Sequence, residues 1–508
     1  MVIVLSFSFN VQNKKWMTKN KNKLQPVMFV GTGSDVGKSI ITSAFCRIFL
    51  QDGYSPAPFK AQNMSLNSYA TPDGLEIGRA QAVQAEACGI ECKVEMNPIL
   101  LKPTSDKKSQ VILNGKPIGN QSASEYFLKT DRDMLFQQAI TAYQSLEKTC
   151  NPIVIEGAGS ISEINLWDKD ITNMRIALET NAVTYLIADI DRGGIFGSVY
   201  GTIQLLPPKE RKLIKGIIIN KFRGDIKLFE EGKKILEQLT EIPIVGIIPY
   251  YRDIFIDDED SVILNKKRKS INKNRVNIAV VLLKQMSNFT DFNILEQIPE
   301  IQLFYTHNED DILNADIIII PGSKNTIADL QHLRKTGLAK AILTAHSNGK
   351  SVYGICGGYQ MMGTEINDPQ HVEGDIESIP GLGILPVKTT LTQEKTTEQC
   401  QFHYLQSTDI CHGYEIHMGD TTTESTSPVC IIGNKKHDGH FSNEKTWGTY
   451  IHGIFDNIPV IHSIIKSRGD KKITTFNINE FRELQYNKLA DWVRNSSDME
   501  YIYKTLMR

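Results

Sequence analysis

The sequence predicts an α/β protein of two doubly wound domains. Three observations carry this. Apolar runs of strand length recur along the chain and alternate with helical patterns, which describes parallel sheets covered on both faces. A charged stretch at 252–275, free of Gly and Pro, divides these runs into two blocks. At 508 residues the chain also exceeds what one core normally serves.

Residues 1–24 open with the apolar MVIVLSFSFN, which is too short for a membrane span and lacks the basic flank and cleavage site of a leader. They are expected to be a disordered extension, with Met17 an alternative start. The first block, 25–251, should place strands at PVMFV (26–30), PIVIE (152–156), VTYLIAD (183–189), IKGIIIN (214–220) and IPIVGIIP (242–249). The 252–275 stretch, including Lys266-Lys267-Arg268-Lys269, reads as a solvated linker. In the second block, 276–470, strands are expected within NIAVVLL (277–283), IQLFYTH (301–307), ADIIIIPGSKNT (315–326) and SVYGICGGYQMMG (351–363). Residues 471–508 should form a helical extension.

Lys and Arg number 56 against 58 Asp and Glu, a net charge of −2, so bulk charge points to neither nucleic acid nor an acidic membrane surface. The eight cysteines are scattered without a Cys-x-x-Cys pair, which suits a reduced, cytoplasmic protein. Cys88 and Cys92 read as packed thiols, not zinc ligands.

GTGSDVGKS (31–39) follows the first strand. The usual phosphate-loop pattern wants glycine where Thr32 stands, and Gly31 lies one residue further back. A turn with Gly33 and Gly37 before a helix starting near Lys38 would still gather N–H groups and a positive helix end around one anion. Lys38 is placed to bridge outer phosphates and the Ser39 hydroxyl to ligate magnesium. Glu156 and Asp189 end strands at the same sheet edge, where Mg·ATP needs carboxylates. Individually, each could simply cap the next helix.

In VYGICGGYQMMG (352–363) a strand runs into Cys356, two glycines and a helical pattern. This is a nucleophile elbow in cysteine form, with the Gly357 N–H aimed at an oxyanion and a helix N-terminus favouring thiolate. A base is then needed. His452, in WGTYIHGIF (447–455), is the preferred histidine, and His417, in GYEIHMG (413–419), is its competitor.

GICGGYQMMG together with GTYIHGIF resembles the class I glutamine amidotransferase domain, in the variety fused to cobalamin-pathway amide synthetases. GTGSDVGKS, PFKAQNMSLNSYAT (58–71), EIGRAQAVQAEA (76–87), NPILLKP (97–103), VIEGAGS (154–160), DIDRGGIFGS (189–198) and NKFRGD (220–225) resemble the cobyric acid synthase family, from about residue 26 almost to the C-terminus. The resemblance implies a ligase that uses ATP, Mg2+ and glutamine. It would amidate the b, d, e and g carboxylates of adenosylcobyrinic acid a,c-diamide, with Cys356 as nucleophile and His452 as proton shuttle. It implies further that Gly31, Thr32, Gly33, Gly37, Lys38, Ser39, Lys60 and Asn220 bind ATP, Asn220 touching adenine, and that Ser39, Glu156 and Asp189 hold the metal. Gly322 would give a second oxyanion donor, with Gln360 joining Gly322 and Gly357 in glutamine binding. Gln62, Asn63, Ser65, Asn67, Arg79 and Gln81 would face the corrin, although helix packing by the alanines accounts equally for much of that stretch.

Two positions depart from the family pattern. Many class I amidotransferases carry glutamate two residues after the histidine, where this chain has Ile454, so the site is written as a dyad. Gly33 stands where serine is common. The expected partner is a corrinoid small molecule, with no nucleic acid and no membrane; a second copy of the chain is left open. Two alternatives are the a,c-diamide synthetase acting earlier in the same pathway and a P-loop ATPase switch with a non-catalytic glutamine-binding domain.

Overall fold

The computed structural model describes residues 22–105, 108–122, 125–126, 131–251, 253–257, 271–425, 427–433, 436–466 and 477–507. In the first block, β1 (Val27–Gly31), β2 (Ala57–Phe59), β3 (Ile153–Glu156), β4 (Val183–Asp189), β5 (Ile214–Phe222) and β6 (Ile244–Pro249) form one parallel sheet in the order β6-β5-β4-β1-β3-β2. Every residue of β1, β3 and β4 is buried, as apolar runs covered on both faces require. The five expected strands are present. The sixth, β2, is only three residues long and leaves no run to read.

The chain leaves β1 to build β2 and β3 on one side and β4 to β6 on the other, so the carboxyl end of β1 is a topological switch point. Helix α1 (Lys38–Gln51) begins there, behind the glycine loop. Helix α2 (Arg79–Ala87) follows, and strands Gln62–Met64, Ile99–Ser105, Lys108–Leu113 and Lys116–Ser122 make a separate mixed sheet.

The second block has a sheet of β7 (Val276–Val281), β8 (Ile301–Thr306), β9 (Ile317–Ile320), β10 (Ser351–Ile355) and two further strands described next. Between β10 and those strands run β11 (Val387–Tyr404) and β12 (Cys411–Thr423), an antiparallel pair in a second sheet. Strands β13 (His440–Asn443) and β14 (Thr446–Thr449) complete the first sheet in the order β8-β7-β9-β10-β14-β13, parallel except for β13. β15 (Ile451–His452) joins the second sheet beside β12. The antiparallel pair is absent from the sequence expectation. β11 buries one face only, and its polar alternation offers no continuous apolar run.

Three boundary expectations change. Residues 1–21 lie outside the described residues, but Leu24 is buried, bridges Met507 and donates its N–H to Asn151 Oδ1, so the extension ends before it. Of the linker, Lys266 to Lys269 lie outside the described residues. Its start is tethered as well as partly exposed: Asp253 and Phe255 face solvent, while Asp257 pairs with Arg79 (2.9 Å) and the Phe255 N–H donates to Gln485. The C-terminal helices α3 (Ile478–Asn495) and α4 (Met499–Leu506) return to the first block. They bury Leu489, Val493 and Leu506 with Phe45 and Phe49 of α1, and Arg494 pairs with Asp52 at 2.9 Å. Among the described residues no helix is long and apolar enough to cross a membrane.

Candidate active site

Cys356 ends β10 and caps the short helix Gly357–Met362 with φ 50°, ψ −110°, a left-handed backbone unusual for a side chain bearing Cβ. Such strain at a strand-to-helix turn belongs with a nucleophile held out of the sheet. The glycines after it are needed for space. A Cβ on Gly357 would stand 2.8 Å from the Ser323 backbone nitrogen, and one on Gly358 would stand 1.9 Å from the Ile320 carbonyl oxygen. The loop after β9 thus lies directly against the elbow, and the Ser287 N–H holds it by donating to the Gly322 carbonyl at 2.9 Å.

His452, on β15, lies near enough to the Cys356 sulfur for the two groups to interact electrostatically, and its Nδ1 lies 2.7 Å from Asp291 Oδ2; the Cys356 thiol itself faces the Ile416 carbonyl at 3.6 Å. The second Asp291 oxygen accepts from the Gly453 N–H at 3.0 Å. Tyr414 stacks on the imidazole at 5.4 Å, and a Cβ on Gly322 would come within 3.3 Å of His452 Cε1. Burial alone would lower the imidazolium pKa, but the Asp291 carboxylate and the Cys356 sulfur outweigh it and raise it to about 10. The dyad expected from Ile454 is therefore a Cys356–His452–Asp291 arrangement. Asp291 sits 161 residues before the histidine, in the short helix Phe289–Gln297. The missing glutamate was the only sequence signal that another carboxylate had to exist.

His417 does not take this place. Its Nδ1 faces the Gly419 carbonyl, its ring stacks on Tyr450 at 3.8 Å, and its Nε2 lies 3.7 Å from Glu415. Gln360 is buried within the Cys356 cavity wall, accepting from Thr326 Oγ1 at 3.0 Å and donating to the Tyr450 hydroxyl at 3.1 Å.

That cavity, about 670 Å³, is walled by both blocks: Cys356, Lys324 and Lys395 from the second, Lys102, Gln110 and Ile118 from the first. Burial, then the like charge of Lys102, lowers the Lys324 ammonium pKa to about 8. Glu76, fully buried, pairs with Lys102 at 2.7 Å and with Lys395 of the second block. Burial would raise its pKa, yet the two lysines hold it well below the usual carboxylate range. A larger cavity, about 1210 Å³, lies beside Asp291; of its charged lining, Arg79 pairs with Asp257 and Arg482 with Asp456.

In the first block, Gly37 caps α1 at φ 97°, where an added Cβ would stand 2.1 Å from Asn220 Nδ2. A Cβ on Gly31 would stand 2.8 Å from the Gly33 carbonyl oxygen, so this glycine serves the close approach within the loop. Gly33 has open space, with only Val36 Cγ1 at 3.8 Å. Thr32 is anchored through its N–H to Ile187 and its carbonyl to Ser160 Oγ. Lys38 Nζ donates to the Gly33 and Gly159 carbonyls at 3.0 and 2.9 Å, across the mouth of the loop. Glu156 accepts from Ser39 Oγ (2.8 Å), Lys60 Nζ (2.8 Å) and Gln84 Nε2 (2.6 Å). One hydroxyl and one buried carboxylate thus converge, both hard oxygen donors. Among the described residues no group of three or more acidic, His or Cys side chains is arranged to hold a metal ion by itself. Such a pair suits Mg2+, which takes few protein ligands and fills its shell with phosphate and water.

Asp189 lies apart, on the other side of β1, holding Lys221 at 2.9 Å and the Asp191 N–H. Asn220 braces the glycine loop by donating to the Val36 carbonyl at 2.8 Å. The residues expected to face a corrin are mostly turned inward. Asn63 donates to Gln81 at 3.0 Å; the Asn67 side chain accepts from the Phe289 N–H of the other block; Ser65 accepts from the Asn67 N–H. Asn63, Asn67 and Gln81 are 3% exposed or less, Asn63 meeting the Gln81 side-chain oxygen and Asn67 the backbone of the other block. Gln62 takes the Tyr126 hydroxyl, and Arg79 lies over Tyr69 and pairs with Asp257.

Comparison with known proteins agrees with both halves. Residues 27–263 match the CobQ/CobB/MinD/ParA nucleotide binding domain, and 277–460 the CobB/CobQ-like glutamine amidotransferase domain. The chain is 58% identical to a cobyric acid synthase of Parabacteroides distasonis, over 96% of this chain and 99% of the relative. It is 57% identical to one of Bacteroides fragilis and 45% identical to one of Streptococcus sanguinis, each over 96% of this chain and 99% of the relative. With a phosphate loop in one block, a cysteine elbow in the other and likeness running through both, the chain belongs to the cobyric acid synthase family.

Proposed function

We propose that the chain converts adenosylcobyrinic acid a,c-diamide to adenosylcobyric acid, amidating the b, d, e and g carboxylates with glutamine nitrogen and ATP. The observation that carries this reading is 58% identity over nearly the whole of both chains to a cobyric acid synthase, accompanied here by a buried His452 paired with Asp291 beside Cys356.

In the second block, the Cys356 sulfur attacks the glutamine amide carbon while the Gly357 N–H meets the developing oxyanion. His452, held charged by Asp291, gives its proton to the departing nitrogen, releasing ammonia and leaving a thioester. A water deprotonated by His452 then frees glutamate and restores the thiol. In the first block, a corrin carboxylate attacks the terminal phosphorus of ATP, forming an acyl phosphate and ADP. Ammonia adds at the acyl carbon, and phosphate leaves.

Such phosphoryl transfer rests on positioning and charge neutralisation. Lys38 and Lys60 supply fixed positive charge, and the loop N–H groups orient the phosphates. Ser39 and Glu156 would hold Mg2+, which supplies further neutralisation of phosphate charge. Asp189 orders the loop from the side through Lys221, and Asn220 from below.

The test is product mass spectrometry with adenosylcobyrinic acid a,c-diamide, Mg·ATP and glutamine, alongside Cys356→Ala given glutamine or ammonium chloride. Wild type should form amides with glutamine, and the variant only with ammonium chloride. ATP hydrolysis without corrin amidation by wild type would sink the reading.

A further inference from the structure

This inference rests on the glutamine hydrolysis proposed above and concerns how glutamine is told from other amides. Besides its reacting amide, free glutamine carries a carboxylate and an ammonium group on one carbon. A secluded site that selects it has to offer each charge a partner, because an unpaired charge taken out of water is costly. Gln360 is already engaged through both amide atoms, with Thr326 and with Tyr450, which leaves the head group to other residues of the Cys356 cavity.

In the wall of that cavity Lys102 and Lys395 are spent on Glu76. Lys324 is not. It leaves the loop that lies against the elbow, two residues after Gly322, and among the described residues its ammonium makes no ion pair or hydrogen bond. It senses both the Cys356 sulfur and the Glu373 carboxylate electrostatically. Glu373 lines the same cavity, fixed by the Ile327 N–H at 2.9 Å. A cation and an anion in one wall, close but not bonded to each other, match the two opposite charges of an amino acid.

The first block adds a third group. Gln110, on the strand Lys108–Leu113, is in register with Lys102, lines the cavity and is 5% exposed. Its Nε2 donates to Met418 Sδ at 3.7 Å, and its Oε1 has no partner among the described residues. Met418 stands two residues after Ile416, whose carbonyl the Cys356 thiol faces at 3.6 Å, so Gln110 is anchored close to the nucleophile. A buried amide oxygen left unmatched opposes folding and calls for an explanation. An ammonium group is the kind of donor it lacks.

We propose that the amino acid end of glutamine is read across the junction of the two blocks, Lys324 taking its carboxylate while Glu373 and Gln110 Oε1 take its ammonium. One of the three binding groups thus belongs to the first block, and the second block holds glutamine fully only with the first docked against it.

The experiment uses the full chain with Mg·ATP and adenosylcobyrinic acid a,c-diamide, and follows the acid released from three amides by mass spectrometry. These are glutamine, glutaramate, which lacks the ammonium, and γ-aminobutyramide, which lacks the carboxylate. Wild type should prefer glutamine to either by about hundredfold or more in kcat/KM. In Lys324→Met, kcat/KM for glutamine should fall by about hundredfold, through KM more than kcat, with little change for γ-aminobutyramide. In Gln110→Leu and Glu373→Gln, the preference for glutamine over glutaramate should fall by about tenfold. Equal falls for glutamine and γ-aminobutyramide in Lys324→Met would put Lys324 on the sulfur or the reacting amide and overturn its role. An unchanged preference in Gln110→Leu overturns the reading across the junction. If Lys324→Met does not fold, the same comparison in Lys324→Gln decides. Wild type that hydrolyses glutamine no better than the truncated amides overturns this inference alone, whereas wild type that hydrolyses none of the three removes the glutamine-dependent function as well.

Discussion

Asp291 shows what one carboxylate does to a base. It holds the Nδ1 side of His452 and, with the Cys356 sulfur, raises the imidazolium pKa from 6.5 to about 10 against the opposing effect of burial. Glutamine hydrolysis should therefore persist to about pH 10 and fall above it, where His452 loses its proton. In Asp291→Asn the upper limb of the pH–rate profile should move down toward the ordinary imidazole range, with kcat reduced by about 10⁴. An unmoved limb would refute the orienting role. The sign for stability follows from the same shift: a raised folded-state pKa stabilises fully below 6.5, and that contribution is lost as pH rises through about 10. Two loop glycines make a second contrast. Gly33→Ser fits open space and should keep ATP-dependent amidation within about twofold, whereas Gly37→Ala must hold φ 97° against Asn220, a strain of about 1–3 kcal/mol. Equal activity of these two variants would contradict that account. Cys356 and His452 were legible because each ends an apolar run beside glycine. Asp291 was not, since nothing in SNFTDFN distinguishes it from a helix cap.

Elements were readable in proportion to how much of them is buried. β1, β3 and β4 have no solvent face and stand out as runs, while β11 and β12 alternate and were missed. The C-terminal helices were expected, but their destination was not. An amphipathic period shows that a helix buries one face without saying against what. α3 buries Leu489 and Val493 against α1, which carries the phosphate loop at its start. Leu489→Ala should lose about 2–5 kcal/mol. In thermal denaturation bound ATP should restore part of this loss, because a ligand of the native first block opposes its unfolding. A melting temperature unchanged from wild type would mean that α3 is not part of that core.

Across the whole molecule, the blocks meet through buried polar contacts as well as apolar ones. Glu76 of the first block holds Lys395 of the second, and Asn67 receives the Phe289 N–H two residues before Asp291. Glu76→Gln would leave two buried lysines uncompensated, a loss of about 3–5 kcal/mol. The acid sensitivity has a fixed sign. A carboxylate whose folded pKa lies below its unfolded 4.5 stabilises fully above 4.5, and that contribution is lost as pH falls toward the folded value. Wild type should therefore lose stability in acid more steeply than Glu76→Gln, by urea unfolding at a series of pH values. Parallel pH dependences would remove Glu76 from the account. The sequence by itself determined the two-block α/β architecture, the phosphate loop, the cysteine elbow and the family, because each is written in contiguous residues through spacing, burial periodicity and glycine placement. Tertiary structure alone decided which carboxylate orients His452, where the C-terminal helices pack, and that Asn63, Asn67 and Gln81 turn inward. Those contacts join residues up to several hundred positions apart, and local periodicity carries no information about which distant group a side chain meets.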